Sequence, residues 1–116
     1  MKDGNDIETL HAFFSSFGVH DHQLIKLIQD FLMPVNFDKK PIIFLQNEPA
    51  TSIFFLPNGI ARYYVVDSEG KEHTKSFRIG PTFLGSVYAT HGGKINPFTA
   101  EILHAVSLYA LDIKHW

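Results

Sequence analysis

Hydrophobic positions in the first third of the chain recur at helical spacing. Apolar residues follow one another at three- and four-residue steps between Asn5 and Gly18, and Asn5 with Glu8 has the spacing of a capping box. We expect a short amphipathic helix that ends at Gly18. A second helix is predicted from Asp21, and it must end by Met33 because a proline follows and disfavours helical geometry in the residue before it.

Beyond residue 34 the pattern changes to short apolar runs every eight to twelve residues. Stretches rich in Gly, Pro, Asn and Asp separate these runs and mark turns. This spacing is typical of antiparallel strands in a sandwich or barrel. The predicted strands cover residues 42–45, 52–56, 60–66, 73–79, 98–106 and 108–113. The clearest turn is a hairpin over residues 67–70, which closes on a glycine.

The strand predicted over residues 73–79 has one polar face. Successive side chains of a strand point to opposite sides of the sheet. Two sets of residues therefore alternate, Thr74, Ser76 and Arg78 on one face and Lys75, Phe77 and Ile79 on the other. The polar face is either solvated or lines a cavity.

Composition limits the functions that are open to the chain. Its 116 residues suit one domain, and the absence of cysteine excludes disulfides, thiolate metal sites and cysteine nucleophiles. The net charge is -2, and the ten Lys and Arg residues are spread along the chain, so we do not expect this segment to bind duplex DNA directly. No apolar run approaches the roughly 20 residues of a membrane span. We expect a cytoplasmic domain without membrane contact.

Several motifs occur in a recognisable order between Phe37 and Gly85. They are a basic turn and strand, the turn Asn47-Glu48-Pro49-Ala50-Thr51-Ser52, an apolar strand ending at Gly59, the hairpin Asp67-Ser68-Glu69-Gly70, and Phe83-Leu84-Gly85. Their order and spacing resemble the effector domain of the cyclic-AMP receptor protein and fumarate-nitrate regulator (Crp/Fnr) family. The resemblance implies a mainly β fold, a double-stranded β-helix or jelly roll of the cyclic-nucleotide-binding type over residues 35–113. N-terminal α-helices over residues 5–33 would precede it.

The same resemblance implies a function and partners. The chain, residues 1–116, would be the effector-sensing domain of a transcription regulator, not an enzyme. It would respond to a small-molecule effector whose identity the sequence does not show. The full-length protein would be a homodimer that contacts DNA only through a C-terminal domain, which we do not expect within this chain.

The family's phosphate-binding cassette is altered in this sequence. Members that bind cyclic nucleotides carry a Gly-Glu pair and, about ten residues later, an arginine followed by a small residue. Here Gly85 is kept, but Ser86 stands at the glutamate position, and Phe98 followed by Thr99 stands at the arginine position. No arginine follows Arg78. A buried phosphodiester needs a guanidinium partner, and a carboxylate holds the ribose, so we expect no ordinary affinity for cyclic AMP.

The candidate ligand-binding residues are those of the altered cassette together with the two arginines. They are Arg62, Arg78, Gly85, Ser86, Val87, Phe98 and Thr99. The arginines either face the barrel interior and hold an acidic effector, or pair with acids such as Glu72 or Glu101 on an exposed sheet face. The serine and threonine hydroxyls either donate to a ligand or bond the backbone. Phe98 is expected in the core.

The sequence contains few features of a metal site or of an enzyme active site. His20 and His22 lie at the start of the second predicted helix, where their rings point about 200° apart around the axis, and no third ligand follows at a suitable spacing. Motifs for nucleophile elbows, phosphate loops and dinucleotide binding are absent. We expect no catalytic residues, no metal and no cofactor. The alternative that stays open is a small cupin-like metal-dependent enzyme or a small-molecule-binding barrel.

Overall fold

Two antiparallel four-stranded sheets form the body of the molecule. The computed structural model describes residues 3–38, 41–85 and 95–112. In chain order its elements are α1 (Gly4–Ser16), α2 (His22–Phe31), β1 (Met33–Pro34), β2 (Ile42–Phe44), β3 (Ser52–Leu56), β4 (Ile60–Val66), β5 (Glu72–Ile79), β6 (Thr82–Leu84), β7 (Thr99–His104) and β8 (Tyr109–Asp112). The sheets have the strand orders β1-β8-β3-β6 and β2-β7-β4-β5. The predicted jelly roll with N-terminal helices is confirmed.

Helix α1 ends where the sequence predicts but begins earlier. The expected cap at Asn5 is wrong, because Asp3 caps the helix: its backbone is extended and its Oδ1 accepts the Asn5 N–H at 2.7 Å. Gly18 has a φ of +78°, and its N–H donates to the Ser15 carbonyl at 3.0 Å. A left-handed glycine of this kind is the common end of a helix.

Helix α2 follows the prediction at both ends. Asp21 is its N-cap and accepts the Leu24 N–H at 3.1 Å, and the last helical residue is Phe31. The two helices cover the sheet β1-β8-β3-β6 through a cluster that we call the helix–sheet core. It consists of Leu10, Ile25, Leu32, Phe55, Tyr109 and Leu111. Burying one large apolar side chain contributes about 1.5–3 kcal/mol, so this cluster holds the helices on the barrel.

The space between the two sheets is filled by a second cluster, the sheet–sheet core. Its buried members are Phe54, Leu56, Ala61, Tyr63, Leu84, Ala100, Ile102 and Leu108. They come mainly from alternate positions of β3, β4 and β7, as expected for strands with one buried face. The candidate site lies along the edge of this core.

Strand bounds agree with the sequence pattern to different degrees. Strands β3 and β4 have the predicted limits, and the other four predicted strands are found with ends that shift by one or two residues. Residue 113, the predicted end of the last strand, lies outside the described residues. The short strands β1 and β6 were not predicted, because two or three residues form a strand only through pairing with β8 and β3.

Gly59 lets the turn between β3 and β4 approach the end of β7 closely. Its φ is +113°, and a Cβ at this position would lie 2.1 Å from the His104 carbonyl oxygen. Gly70, in the hairpin between β4 and β5, also has a positive φ of +83°, but nothing lies within 4 Å of an added Cβ. A side chain at residue 59 would therefore clash with the backbone of β7, whereas a side chain at residue 70 would meet no neighbour and would strain only its own backbone conformation.

We expect Gly59→Ala to destabilise the protein much more than Gly70→Ala. The Gly70 change should cost about 1–2 kcal/mol of unfolding free energy, from the left-handed backbone alone. The Gly59 change adds the displacement of backbone at His104, for at least about 3 kcal/mol in total. Urea unfolding of both variants measures the difference, and equal losses would contradict the close approach.

A buried carboxylate ties the start of α1 to the last strand. Asp6 is buried, and its Oδ2 accepts hydrogen bonds from the Ser107 hydroxyl at 2.7 Å and the Tyr109 hydroxyl at 2.6 Å. Burial, reinforced by the hydrogen bond to Asp6, raises the pKa of Tyr109 from 10.0 to about 12. The folded state thus favours the neutral phenol.

Stability should therefore fall at alkaline pH in a way that depends on Tyr109. Because the pKa is raised in the folded state, the contribution of this tyrosine is complete below pH 10 and is lost as the pH rises towards about 12. Tyr109→Phe should make the unfolding free energy less steep between these pH values. Ser107→Ala is the matched control, since it removes a bond to Asp6 without removing a titrating group. An unchanged slope in Tyr109→Phe would contradict the assignment.

Candidate functional site

Arg62 lies on the outer face of the sheet β2-β7-β4-β5. Its neighbours Ala61 and Tyr63 are buried in the sheet–sheet core, so Arg62 points the other way. Its Nη2 donates to Glu72 Oε1 at 2.8 Å and to Glu101 Oε1 at 3.0 Å. The hydrogen bond to Glu72 is the main cause that raises the pKa of Arg62. Arg62 is therefore paired with two acids, which is one of the two alternatives predicted from the sequence. A ligand contact for Arg62 stays a prediction.

Arg78 lies on the opposite, inner face of the same sheet. It pairs in β5 with Ala61 of β4, which is fully buried, and side chains directly opposite one another share a face. Its Nη2 donates to Thr82 Oγ1 at 2.7 Å and to the Phe83 carbonyl oxygen at 3.4 Å. Its guanidinium carbon lies 5.7 Å from the centre of the Tyr63 ring. Arg78 therefore borders the interior of the barrel.

Phe98 and Tyr63 form an aromatic stack at this edge of the core. Their ring centres are 4.3 Å apart and their planes differ by 23°. Phe98 is half-buried against the sheet–sheet core, as expected, and its ring centre is 5.9 Å from that of Phe44. An aromatic ring thus stands where the resemblance implies an arginine in nucleotide-binding relatives.

Gly85, the first residue of the altered cassette, forms a hydrogen bond with the side chain of Tyr63 in β4. The Gly85 N–H donates to the Tyr63 hydroxyl oxygen at 3.0 Å, and Gly85 has a φ of +151°. Burial is the main cause that raises the pKa of Tyr63, so this hydroxyl stays neutral and available to the glycine. Tyr63 was not among the residues predicted from the sequence. Its strand position predicts an inward side chain, but no sequence pattern predicts its contact with Gly85.

Of the remaining predicted residues of the cassette, the structure describes Thr99. Thr99 is buried, and its Oγ1 accepts the Gln46 N–H at 2.9 Å, which is the backbone-bonding arrangement considered for it. Ser86 and Val87 lie outside the described residues. The structure therefore brings Arg78, Phe98 and Gly85 to one region around Tyr63.

Two further features of the described part of the chain bear on function. No three His, Asp or Glu side chains there come together in a way that could hold a metal ion. His22 instead stacks on His11, with ring centres 6.5 Å apart. Neither α1 nor α2 has the length and apolar character needed to cross a membrane.

The family of the chain follows from its sequence match. Residues 34–116 match the profile of the cyclic nucleotide-binding domain, which is well over half of the chain. The chain therefore belongs to the cyclic nucleotide-binding domain family, and the predicted resemblance is confirmed at that level. No curated protein matches the sequence.

Solved structures share the whole fold at low sequence identity. For cAMP-bound PfPKA-R the TM-score is 0.82 at 16% identity, over 98% of this chain and 41% of that one. The catabolite activator protein of Thermus thermophilus gives 0.70 at 16%, over 91% and 46%. The sensor domain of the transcriptional regulator DNR from Pseudomonas aeruginosa gives 0.71 at 22%, over 92% and 71%. The chain spans about half the length, or less, of the first structures that it matches.

The contact between Tyr63 and Gly85 predicts a specific cost of losing one hydroxyl. Tyr63→Phe leaves the Gly85 N–H without this partner, and we expect a loss of about 1–2 kcal/mol of unfolding free energy. Tyr64→Phe is the control, because the neighbouring Tyr64 is also buried and its hydroxyl makes no hydrogen bond with the described residues. Chemical unfolding of both variants tests this, and an equal effect would contradict the role of the bond.

Proposed function

We propose that this chain is the effector-sensing domain of a Crp/Fnr-type transcription regulator whose phosphate-binding cassette no longer accepts a cyclic nucleotide. Membership of the cyclic nucleotide-binding domain family supports the sensing role. The folds shared with the catabolite activator protein and with the DNR sensor domain support the link to transcription. The observation that carries the loss of nucleotide binding is the aromatic stack of Phe98 on Tyr63 in a chain without any arginine after Arg78.

The chemistry of a cyclic phosphodiester explains why this observation matters. Hydrogen bonds to a charged group contribute about 1.5–3 kcal/mol each. Loss of the guanidinium and of the ribose carboxylate together removes about 3–6 kcal/mol, or about two to four powers of ten in affinity. Arg62 does not replace the lost guanidinium, because Glu72 and Glu101 hold it on the outer face.

In this proposal the chain works through a conformational equilibrium. An effector shifts the equilibrium only by the difference in its affinity for the two states. DNA would be bound by a separate domain of the full-length regulator, which we expect to be a cytoplasmic homodimer. The domain itself would have no catalytic step, and residues 35–113 would form the sensing barrel.

We expect saturating cyclic AMP and cyclic GMP to leave the melting temperature of the chain unchanged. A ligand at 100 times its Kd adds about 2.7 kcal/mol of stability, which would raise the Tm of a domain of this size by about 5 °C or more. Differential scanning fluorimetry measures the shift, with PfPKA-R as the cyclic-AMP-binding control.

Two results would contradict the proposal. A clear rise in Tm with either nucleotide would show that the altered cassette still binds it. Stoichiometric zinc, iron or manganese in the purified protein would instead favour the alternative of a metal-dependent barrel enzyme, since the regulator needs no such metal.

A further inference from the structure

The second half of strand β5 turns Ser76 and Arg78 inward and Phe77 and Ile79 outward. The prediction that Thr74 shares the face of Ser76 and Arg78 is wrong, because the register shifts by one residue before Thr74, whose Oγ1 accepts an Arg62 N–H on the outer face at 3.5 Å. Ser76 and Arg78 pair with buried residues of β4 and so share the inner face. Phe77 and Ile79 occupy the alternate positions and are 59% and 71% exposed. In this half of β5 the two faces are therefore inverted relative to the alternation that a strand of a barrel core normally shows.

The inversion is held by the pairing of β5 with β4. Their antiparallel register is continuous from Ile60 opposite Ile79 to Tyr63 opposite Ser76, and it shifts by one residue before Tyr64 opposite Thr74. Because the side chains of a strand alternate with period two, a slip by one residue would bury Phe77 and expose Arg78. The observed register therefore leaves Phe77 and Ile79 exposed and keeps the Arg78 guanidinium on the inner face. Departures from the local rules of this kind are expected at functional sites.

Within the part of the chain that the structure describes, the guanidinium of Arg78 has no negatively charged partner. All twelve Asp and Glu side chains of the chain lie within the described residues, and none of them forms an ion pair with Arg78. Among the described residues, its Nη2 donates to the neutral oxygens of Thr82 and Phe83. Its Nε and Nη1 make no hydrogen bond with the described residues. Arg62, by contrast, holds two carboxylates.

A half-buried guanidinium whose N–H groups are not all used by the described residues can pair with a bound anion. The groups around Arg78 suit a particular anion. The stacked rings of Tyr63 and Phe98 provide a flat apolar wall beside the guanidinium. The Thr82 hydroxyl provides a further polar contact. Ser76 is exposed although it shares a face with buried Tyr63, so this part of the inner face is accessible from solvent.

We propose that Arg78 binds the anionic group of a small organic effector, a monocarboxylate with a flat apolar body, on the inner face of β5. A single guanidinium matches a single carboxylate, with which it can form two parallel hydrogen bonds. The proposal deepens the proposed function and rests on it, since it names the class of effector that the sensing barrel accepts. The positive charge of the binding site would lie on β5 and not in the cassette.

Benzoate is a suitable probe, with neutral benzamide as its isostere. At about 20 mM of either compound and constant ionic strength, we expect benzoate to raise the Tm of the chain by about 2 °C or more and benzamide to have no effect. In Arg78→Gln the benzoate response should disappear, and calorimetry should show a Kd at least about 10-fold weaker. Lys26→Gln is the control, because it removes the same charge from an exposed pair on α2.

A second measurement needs no ligand. If Arg78 is kept for binding, Arg78→Gln without ligand should unfold at nearly the same urea concentration as the unchanged protein, because the glutamine amide can still donate to the Thr82 and Phe83 oxygens. An arginine that merely joins β5 to β6 would instead lower stability when replaced. Arg78→Lys retains the charge without the bidentate geometry, and it should show a weaker benzoate response.

Several outcomes would overturn the proposal. They are an equal benzoate response in Arg78→Gln and the unchanged protein, a response to benzamide as large as that to benzoate, no response to benzoate, or a response to inorganic phosphate alone. These failures are distinguishable from failure of the proposed function. Stabilisation by cyclic AMP would contradict the loss of nucleotide binding, whereas a benzoate result concerns the Arg78 site alone.

Discussion

The pairing of β4 with its two neighbours is the constraint on which the site depends. Strand β4 lies between β7 and β5, and its register with them decides which face each side chain occupies. It places Arg62 outside with Glu101, and it places Tyr63 and Arg78 inside. Two arginines that look alike in the sequence therefore have different environments: one is neutralised by carboxylates and the other is not.

The interior beside Arg78 combines aromatic and polar groups. The Tyr63 ring stacks on Phe98, and its hydroxyl accepts the Gly85 N–H, so one side chain joins β4 to both of these residues. The proposed preference for a flat anion over a cyclic phosphodiester rests on this stack, which offers apolar surface but no hydrogen-bond donor. Effector binding there would act on the residues that link β4 to the cassette.

The sequence predicted the elements better than the contacts. Period-two alternation and turn residues were sufficient for β3, β4 and the hairpin at residues 67–70, because each depends on local preferences. The cap at Asp3 was missed because Asn5 has equally good capping chemistry, whereas in the structure the Asp3 N–H also donates to the Tyr109 hydroxyl of the last strand at 3.3 Å. The strands β1 and β6 were missed because their few residues are extended only through pairing with distant strands.

By itself the sequence predicted the class of fold, through strand spacing and a family resemblance, and it showed that the chain has no cysteine and no arginine after Arg78. That Phe98 stands at the arginine position of the cassette is implied by the resemblance and stays a prediction. The sequence also predicted one polar face for β5. Only the tertiary structure decided that Ser76 and Arg78 of this face point inward while Thr74 does not, that Arg62 is paired with two acids, and that Tyr63 bonds Gly85. The physical reason is that a strand pattern defines two faces but not their orientation, which depends on pairing between residues far apart in the chain.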